Sequence, residues 1–231
     1  MGPFLQDKGD LRYVLVAIDY MTKWAKAKAM RTINQQDYIK FMDLIVMRFG
    51  ILMVLILDNE PQFVGSDFEA YLKELDIKHK RASVAHPLGN GQVEVTNRTI
   101  LRGLKKRLEE SKKNWLDELP KVLWSYRTTP KTGTGETPFK FAYRTEARLP
   151  VETGSPSHRV VNFDEVSNIK GLKTNLELLD EVKDRAVDKM ESYKERTKIY
   201  FAKKAKLREY EVGDLVLRDT EASEPTNQGK L

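Results

Sequence analysis

Two acidic residues stand where their carboxylates could act together on a metal ion. Asp58 ends the apolar run Ile51–Leu57, and Glu94 lies near the start of a basic helical stretch, with 35 residues between the two acids. Mg²⁺ takes oxygen ligands, and proteins usually offer it one or two carboxylates beside phosphate and water. Two carboxylates delivered by different elements could therefore hold divalent ions that promote phosphodiester chemistry.

Both acids stand within longer motifs. Asp58 opens the pattern Asp-Asn-x-x-Gln-Phe, and Glu94 closes the pattern His-Pro-x-x-Asn-Gly-Gln-x-Glu. Five further segments extend the pattern: DYMTKW (19–24), EVTNRTI (94–100), SYRTTP (125–130), GETPF (135–139) and GDLVLR (213–218). Over nearly its whole length the chain resembles the integrase core of gypsy-type long-terminal-repeat retrotransposons. The resemblance implies an α/β fold of the ribonuclease H-like integrase type, a mixed sheet with helices on both faces.

The resemblance also implies a set of metal ligands. Asp58 and Glu94 match the second Asp and the Glu of three acids that hold two Mg²⁺ or Mn²⁺ ions, so they are the predicted catalytic and metal-binding residues. The family's first Asp precedes a Gly-Pro that Gly2-Pro3 matches, and we therefore expect it upstream of Met1. Asp19 matches a family Asp that is not a ligand. Glu60 stands where the family usually has Gly, and we expect it to disturb the loop or to act as an extra ligand. Because the first Asp is missing, we expect a truncated integrase with little or no catalysis.

Several uncharged polar residues near the two acids match the family as well. We predict that they shape the loops around the metals and the DNA, although ordinary turn and cap chemistry is the alternative for each. For the Asn-Gly pair at 90–91 that alternative stays open, because Asn-Gly is a common turn signal. These residues are Asn59, Gln62, Asn90, Gln92 and Asn97. We expect His86 to order its loop, the alternative being a metal ligand, since no Cys or paired His accompanies it.

Positive charge is concentrated in one part of the sequence. The chain carries a formal net charge of +6, and the window 79–113 holds nine Lys or Arg against three acids. A basic patch is the footprint of a polyanionic partner, although a solvated helix face would look the same. Because the patch adjoins Glu94, we favour DNA, namely retroelement ends and target DNA. The predicted nucleic-acid contacts are Lys80, Arg81, Asn90, Gln92, Arg98, Arg102, Lys105 and Lys106.

Composition narrows the class of protein. There is no cysteine, so disulfides and cysteine-based zinc sites are ruled out and we expect no zinc. The apolar run at 51–57 is too short to span a membrane, and residues 1–10 lack a signal-peptide core. We expect an intracellular protein, nuclear or cytoplasmic, that is not secreted and has no membrane or small-molecule partner. Self-association and a nuclear site of action follow from the resemblance alone.

Hydrophobic periodicity and turn signals predict the elements that carry these residues. Strands are expected at 12–19, 24–30, 51–57 and 77–83, with the third covered on both faces because its apolar run is continuous. Helices are expected from the cap Asn34 to Gly50, from a capping box at Ser66 and Glu69, and from Gln92 to about Ser111. The predicted organisation is a core at 1–152 with its first strand largely missing, a linker at 153–163, a helical or coiled-coil-like extension at 164–208, and the start of a truncated SH3-like domain at 209–231.

Three other interpretations remain open. The chain could be a non-catalytic DNA-binding or assembly module that uses its basic helix and its long helices at 164–206. It could be a ribonuclease H-type nuclease, which would cleave RNA–DNA hybrids. It could also be a decayed reading frame without a selected role.

Overall fold

A computed structural model of the chain describes residues 1–5, 8–58, 65–81, 91–111 and 114–204. Within these residues the chain forms two compact units. The first comprises Met1–Ile18 and Ala25–Leu123, and the second comprises Asp19–Trp24 and 124–204.

The first unit contains two short β-ladders of opposite kind. Strand β1 (Tyr13–Ile18) pairs with β2 (Ala25–Met30) in the antiparallel sense. Strand β3 (Val54–Leu57) pairs with β4 (Lys78–Arg81) in the parallel sense. Every residue of each strand has one partner on the neighbouring strand, so the pairing defines where each strand ends.

Helix α1 (Gln35–Phe49) packs its apolar face onto this unit's core. Asn34 caps the helix by accepting a hydrogen bond from the Asp37 backbone N–H at 2.9 Å, and Gly50 ends it with a φ of 87°, as the sequence predicts. The packed side chains come from α1, from helix α2 (Ser66–Glu74) and from the strands. The buried ones are Tyr38, Phe41, Met42, Ile45, Leu57, Phe68, Leu72 and Ile77.

Two local predictions in this region are wrong. The strand β3 is not covered on both faces, since Val54 is 45% exposed and Ile56 is 41% exposed while Leu57 is buried. The capping box is absent because α2 begins at Ser66 itself, and its N-cap is Gly65, which makes no side-chain hydrogen bond. The carboxylate of Glu69 pairs instead with Arg81 at 2.9 Å.

The helices α3 (Gly91–Ser111) and α4 (Trp115–Thr128) complete the first unit, with α4 continuing beyond Leu123. Helix α3 buries Thr96, Ile100 and Leu104 and packs against β1. The N-terminal residues Phe4 and Leu5 pack against the first residue of α4, Trp115. The ring of Phe4 stacks on that of Trp115 at 4.9 Å, and the Trp115 indole N–H donates to the Leu5 carbonyl at 2.9 Å.

The second unit is helical. It holds α5 (Pro138–Tyr143), α6 (His158–Val161), α7 (Glu165–Glu177) and α8 (Leu179–Lys204). Two consecutive helices, α7 and α8, thus occupy the stretch in which the sequence predicts a helical extension, and the domain bounds drawn there stay a prediction. The strand expected within 209–231 lies outside the described residues. In the part of the chain that the structure describes, no helix combines the length and apolarity needed to cross a membrane.

Candidate nucleic-acid and metal site

Asp58 lies at the carboxyl end of a parallel strand pair. It directly follows β3, whose last residue Leu57 is buried opposite Arg81 of β4. The side chain of Asp58 itself is exposed. The carboxyl edge of parallel strands is where ligands usually bind in α/β sheets, so the predicted ligand stands in a position open to a metal and its substrate.

Glu94 lies in the first turn of α3 and is partly buried. The unpaired N–H groups at the start of a helix make that end positive, which favours an ionised carboxylate there. One helical period separates Glu94 from Arg98 and a second separates Arg98 from Arg102, so these side chains share one side of α3. The carboxylate therefore stands in line with cations that could hold a phosphate.

The donor set can be compared with the needs of the implied metal. Asp58 and Glu94 offer the oxygen ligands that Mg²⁺ and Mn²⁺ take, and two carboxylates match the usual protein share for one Mg²⁺ ion. No three Asp, Glu or His side chains among residues 1–5, 8–58, 65–81, 91–111 and 114–204 are grouped closely enough to hold a metal ion. The described residues therefore fit a single ion in ligand type and number, and they do not form the three-acid site that the resemblance implies.

Four of the predicted site residues lie outside the described part of the chain. These are Asn59, Gln62, His86 and Asn90. Their proposed roles in the two loops stay predictions. Glu60, the expected departure from the family pattern, falls in the same undescribed segment.

The exposed side of α3 carries the predicted nucleic-acid contacts of this helix. Four cations are exposed at spacings that keep them within about a third of the helix circumference: Arg98, Arg102, Lys105 and Lys106. We call these four residues the basic face of α3. Thr96, Ile100 and Leu104 are buried on the opposite side, so the basic face points away from the core. Such a one-sided distribution is the arrangement expected of a helix that binds a polyanion.

Close packing against α4 holds α3 in place. A Cβ placed on Gly103 would come within 2.9 Å of the Val122 Cγ1 atom, so the two helices meet at a distance that only glycine allows without rearrangement. Beside this contact, the fully buried Glu118 carboxylate accepts hydrogen bonds from Lys121 at 2.7 Å and from Arg107. These hydrogen bonds lower the pKa of Glu118, that from Lys121 contributing most.

The sequence reasoning did not single out these supporting residues. Arg107 counted only as one more cation of the basic window, whereas the structure pairs it with Glu118. The available signal was weak, because one buried acid on a helix face gives no indication of its partner on another helix. Gly103, an isolated glycine inside a helical pattern, was the better clue, since such a glycine often marks a close helix contact.

The remaining predicted residues occupy different environments. Lys80 and Arg81 are exposed on β4, but Arg81 also pairs with Glu69. The Gln92 carbonyl accepts from the Thr96 hydroxyl at 2.8 Å, which places Gln92 in the first turn of α3 rather than in a loop. Asn97 lies one turn beyond Glu94, and its buried Oδ1 atom accepts no hydrogen bond in the structure. Gln92, Glu94 and Asn97 thus all lie in the first two turns of α3, with Glu94 and Asn97 one turn apart and Gln92 on a different side of the helix.

Comparison of the sequence with known proteins points to retroviral polyproteins. No family model matches the chain. It is 37% identical over 134 residues to the Gag-Pol polyprotein of woolly monkey sarcoma virus, a match that covers 57% of this chain and 8% of that protein. It is 32% identical over 164 residues to the Pol polyprotein of feline endogenous virus ECE1, covering 70% of this chain and 16% of that one. The chain thus spans a small part of the length of these relatives.

Comparison of the structures agrees on the fold. The cryo-electron microscopy structure of the simian T-cell lymphotropic virus intasome, in complex with the PP2A regulatory subunit B56 gamma, superposes with a TM-score of 0.53 at 20% identity, over 63% of this chain and 52% of that one. The HTLV-2 integrase catalytic core domain in complex with magnesium gives a TM-score of 0.47 at 20% identity, over 55% of this chain and 82% of that one. The predicted fold class is confirmed: the chain has a ribonuclease H-like α/β fold, shared with the intasome structure, and its sequence homologues include retroviral Gag-Pol and Pol polyproteins.

Proposed function

We propose that the chain is the integrase core of a gypsy-type retrotransposon and acts in DNA integration. It binds DNA with the basic face of α3 and a divalent ion with Asp58 and Glu94. The observation that carries this proposal is the alignment of Glu94 with Arg98 and Arg102 on one side of α3, opposite a buried side that fixes the helix. The fold and the similarity to retroviral polyproteins support the same function.

The basic face would bind the phosphate backbone. Arg98 and Arg102 can each offer two parallel N–H groups to one phosphate, whereas Lys105 and Lys106 act as point charges. Backbone contacts of this kind position a protein on DNA and carry no sequence information by themselves. Target-site choice therefore does not arise from these four residues.

The two acids would hold the metal at the end of the DNA. A divalent ion bound there would polarise the phosphodiester and favour deprotonation of the attacking water or 3′-hydroxyl. Asp58 directly follows a strand and Glu94 lies in the first turn of a helix, so the two ligands would come from different elements. The protein contributes placement and charge, and no covalent nucleophile is needed.

Catalysis by this 231-residue chain alone should be weak. Strand transfer by two metal ions needs ligands on both ions, and two carboxylates would hold two divalent ions poorly. We therefore expect little or no joining of DNA ends in the presence of Mg²⁺ or Mn²⁺. Efficient metal-dependent joining of oligonucleotide ends by the purified chain would contradict this expectation.

A second candidate function is a non-catalytic DNA-binding and assembly module. It is favoured by α7, where Val166 is 76% exposed, Ile169 is 49% exposed and Leu176 is 49% exposed. An apolar stripe left in water is typical of a helix that associates with another surface. Self-association without metal binding would favour this module over the integrase function.

Salt-dependent DNA binding tests the proposed function. Fluorescence anisotropy of a labelled 30-base-pair duplex would be recorded from 50 to 200 mM KCl for the wild-type chain and for the double variant Arg102→Ala/Lys105→Ala. The slope of log K against log salt concentration, here called the salt slope, is negative. Each lost phosphate contact should reduce its magnitude by about 0.9, so we expect the double variant to have a slope that is shallower by about two.

A matched control comes from α8, where Lys194 and Lys198 are exposed at a similar spacing. The double variant Lys194→Ala/Lys198→Ala removes the same charge and should leave the slope unchanged. An equal reduction of the slope in both double variants would show that net charge alone drives DNA binding. Salt-insensitive or undetectable binding by the wild-type chain would overturn the proposal.

A further inference from the structure

A second basic feature lies away from α3, where β1 begins and β2 ends. A cavity of about 590 Å³ opens there, within the range of about 300 to 1,000 Å³ that is common for binding sites. Its wall combines charged, hydroxyl and apolar side chains from both strands and from the segment before α1. The lining residues are Asp10, Arg12, Tyr13, Arg31, Thr32 and Ile33.

The charge of this cavity is positive. Arg12 and Arg31 bring two guanidinium groups, and Asp10 brings one carboxylate, so the lining keeps a net charge of about +1 whichever arginine the carboxylate approaches. Both arginines are exposed. A guanidinium presents its N–H groups as a planar fork that matches the oxygens of a phosphate, so an anion of this kind would suit the cavity best.

The backbone holds the two arginines at one wall. The Arg12 N–H donates to the Met30 carbonyl at 3.0 Å, which ties the start of β1 to the residue before Arg31. The turn at 8–10 also lies beside Arg31, since a Cβ on Gly9 would be 3.9 Å from an Arg31 Nη atom. Gly9 adopts a φ of 76° and Asp10 a φ of 58°, so this turn requires the left-handed backbone that glycine adopts at no cost.

The lining residue Thr32 is tied to the start of α1. The Thr32 hydroxyl accepts from the Asn34 side-chain amide at 3.0 Å and donates to an Asp37 carboxylate oxygen at 3.4 Å. Asn34 in turn caps α1. Part of the cavity wall is therefore joined by hydrogen bonds to the start of a capped helix.

We propose that this cavity binds a phosphodiester of the nucleic-acid backbone, as a contact separate from the basic face of α3. The inference rests on the proposed function, because it assigns a second contact to the same DNA-binding chain. A phosphodiester carries one negative charge, which balances the net charge of the lining. Free phosphate carries nearly two, and Asp10 would repel the second. The exposure of both arginines also suits a phosphate that remains part of a polymer extending into solvent.

The test uses the same anisotropy titration with variants of the cavity. We expect Arg12→Ala/Arg31→Ala to weaken DNA binding several-fold at 100 mM KCl and to lower the salt slope by about one, because one phosphate contact is lost. The charge-conserving Arg31→Lys should keep the slope and lose part of the affinity. Circular dichroism melting would establish that each variant folds.

The single variant Asp10→Asn gives a result that loss of folding cannot imitate. Removing this carboxylate raises the net charge of the lining, so DNA binding should become tighter and its salt slope steeper. An unchanged or weaker affinity for Asp10→Asn, or an unchanged slope for Arg12→Ala/Arg31→Ala, would overturn the inference.

The two proposals fail in distinguishable ways. If the cavity variants bind DNA like the wild-type chain while Arg102→Ala/Lys105→Ala loses slope, only the cavity assignment is wrong. If the wild-type chain does not bind DNA, both are wrong. If millimolar inorganic phosphate raises the melting temperature of the wild-type chain but not of Arg31→Ala, and the DNA slope is unchanged, the cavity binds free phosphate and the phosphodiester assignment is overturned.

Discussion

Gly103 of α3 lies so close to Val122 of α4 that a methyl group at position 103 would come within 2.9 Å of the Val122 Cγ1 atom. This approach keeps the two helices in contact at the middle of α3. Gly103 adjoins the buried side of α3, formed by Thr96, Ile100 and Leu104, so this contact helps to fix the helix that carries the basic face.

Gly103→Ala should destabilise the protein, although alanine is the better helix former by about 1 kcal/mol. Overpacking costs about 1 to 3 kcal/mol, and Val122 has little rotamer freedom with which to move away. We expect a net loss of about 1 kcal/mol in urea unfolding followed by circular dichroism.

Two variants control the Gly103 experiment. Gly171 lies inside α7 with open space around it, so Gly171→Ala should gain up to about 1 kcal/mol. In a Val122→Ala background the penalty for Gly103→Ala should disappear, because the clashing methyl is gone. A stabilising Gly103→Ala would show that α3 and α4 separate at little cost.

Glu118 should make stability depend on acid pH. Its pKa is lowered from the ordinary value of 4.5 by hydrogen bonds from Lys121 and from Arg107. A depressed folded-state pKa adds stability above the unfolded-state pKa, and that stability is lost as pH falls through the lower folded-state value. Thermal melting should therefore move to lower temperature below about pH 4.5.

Glu118→Gln isolates this effect. The variant should melt at a lower temperature than the wild-type chain at pH 7, because the buried partner of two cations has lost its charge. Its melting temperature should also vary less below pH 4.5. The exposed Glu181 of α8 provides the control, and Glu181→Gln should keep the wild-type pH profile. Identical acid profiles for all three proteins would contradict the role of Glu118.

Arg144→Gly should stabilise the second unit. Arg144 ends α5 with a φ of 61°, a left-handed conformation that glycine adopts without cost and other residues adopt at about 1 kcal/mol. We expect a gain of up to about 1 kcal/mol in denaturant unfolding. Arg148→Gly removes the same charge at a position without a positive φ and should give no gain, so a gain there would mean that charge, not backbone strain, is responsible.

Mn²⁺ binding should depend on both predicted ligands. Calorimetric titration of the wild-type chain should give binding that Asp58→Asn and Glu94→Gln each weaken by at least tenfold, because each removes one charged ligand. Asp188→Asn, which changes an exposed acid on α8, should bind like the wild-type chain. Equal binding by all four proteins would show that neither Asp58 nor Glu94 holds the ion.

The parts of the fold that the sequence predicts best are those with local causes. Asn34 and Gly50 bound α1 as expected, since a cap and a left-handed stop depend on residues within one turn. The resemblance gave the fold class, which the structural comparison confirms. The capping-box pattern at Ser66 and Glu69 predicted Ser66 as the N-cap of α2. In the structure Ser66 is already the first helical residue and Gly65 is the N-cap, which the pattern alone does not reveal.

Features that depend on distant residues were not predictable. A continuous apolar run at β3 indicated burial on both faces, yet Val54 and Ile56 are exposed because covering a strand depends on other elements. The Arg107–Glu118 pair and the cavity beside Arg31 join residues whose sequence context gives no sign of their neighbours. The sequence predicted the cations that the structure shows exposed on α3, the metal ligands Asp58 and Glu94 stay predictions, and the contact of α4 with α3 was not predicted.

One helix, α3, carries both Glu94 and the cations of the basic face, so the distances between them along the helix axis are fixed. At about 1.5 Å per residue, Lys105 stands about 16 Å along the axis from Glu94. A duplex lying along α3 advances about 3.4 Å per base pair, so this interval spans about five base pairs. The spacing of residues along α3 would then set the distance between the phosphate near Glu94 and the phosphates that the basic face binds. That distance would depend on the length of the helix and not on its charge.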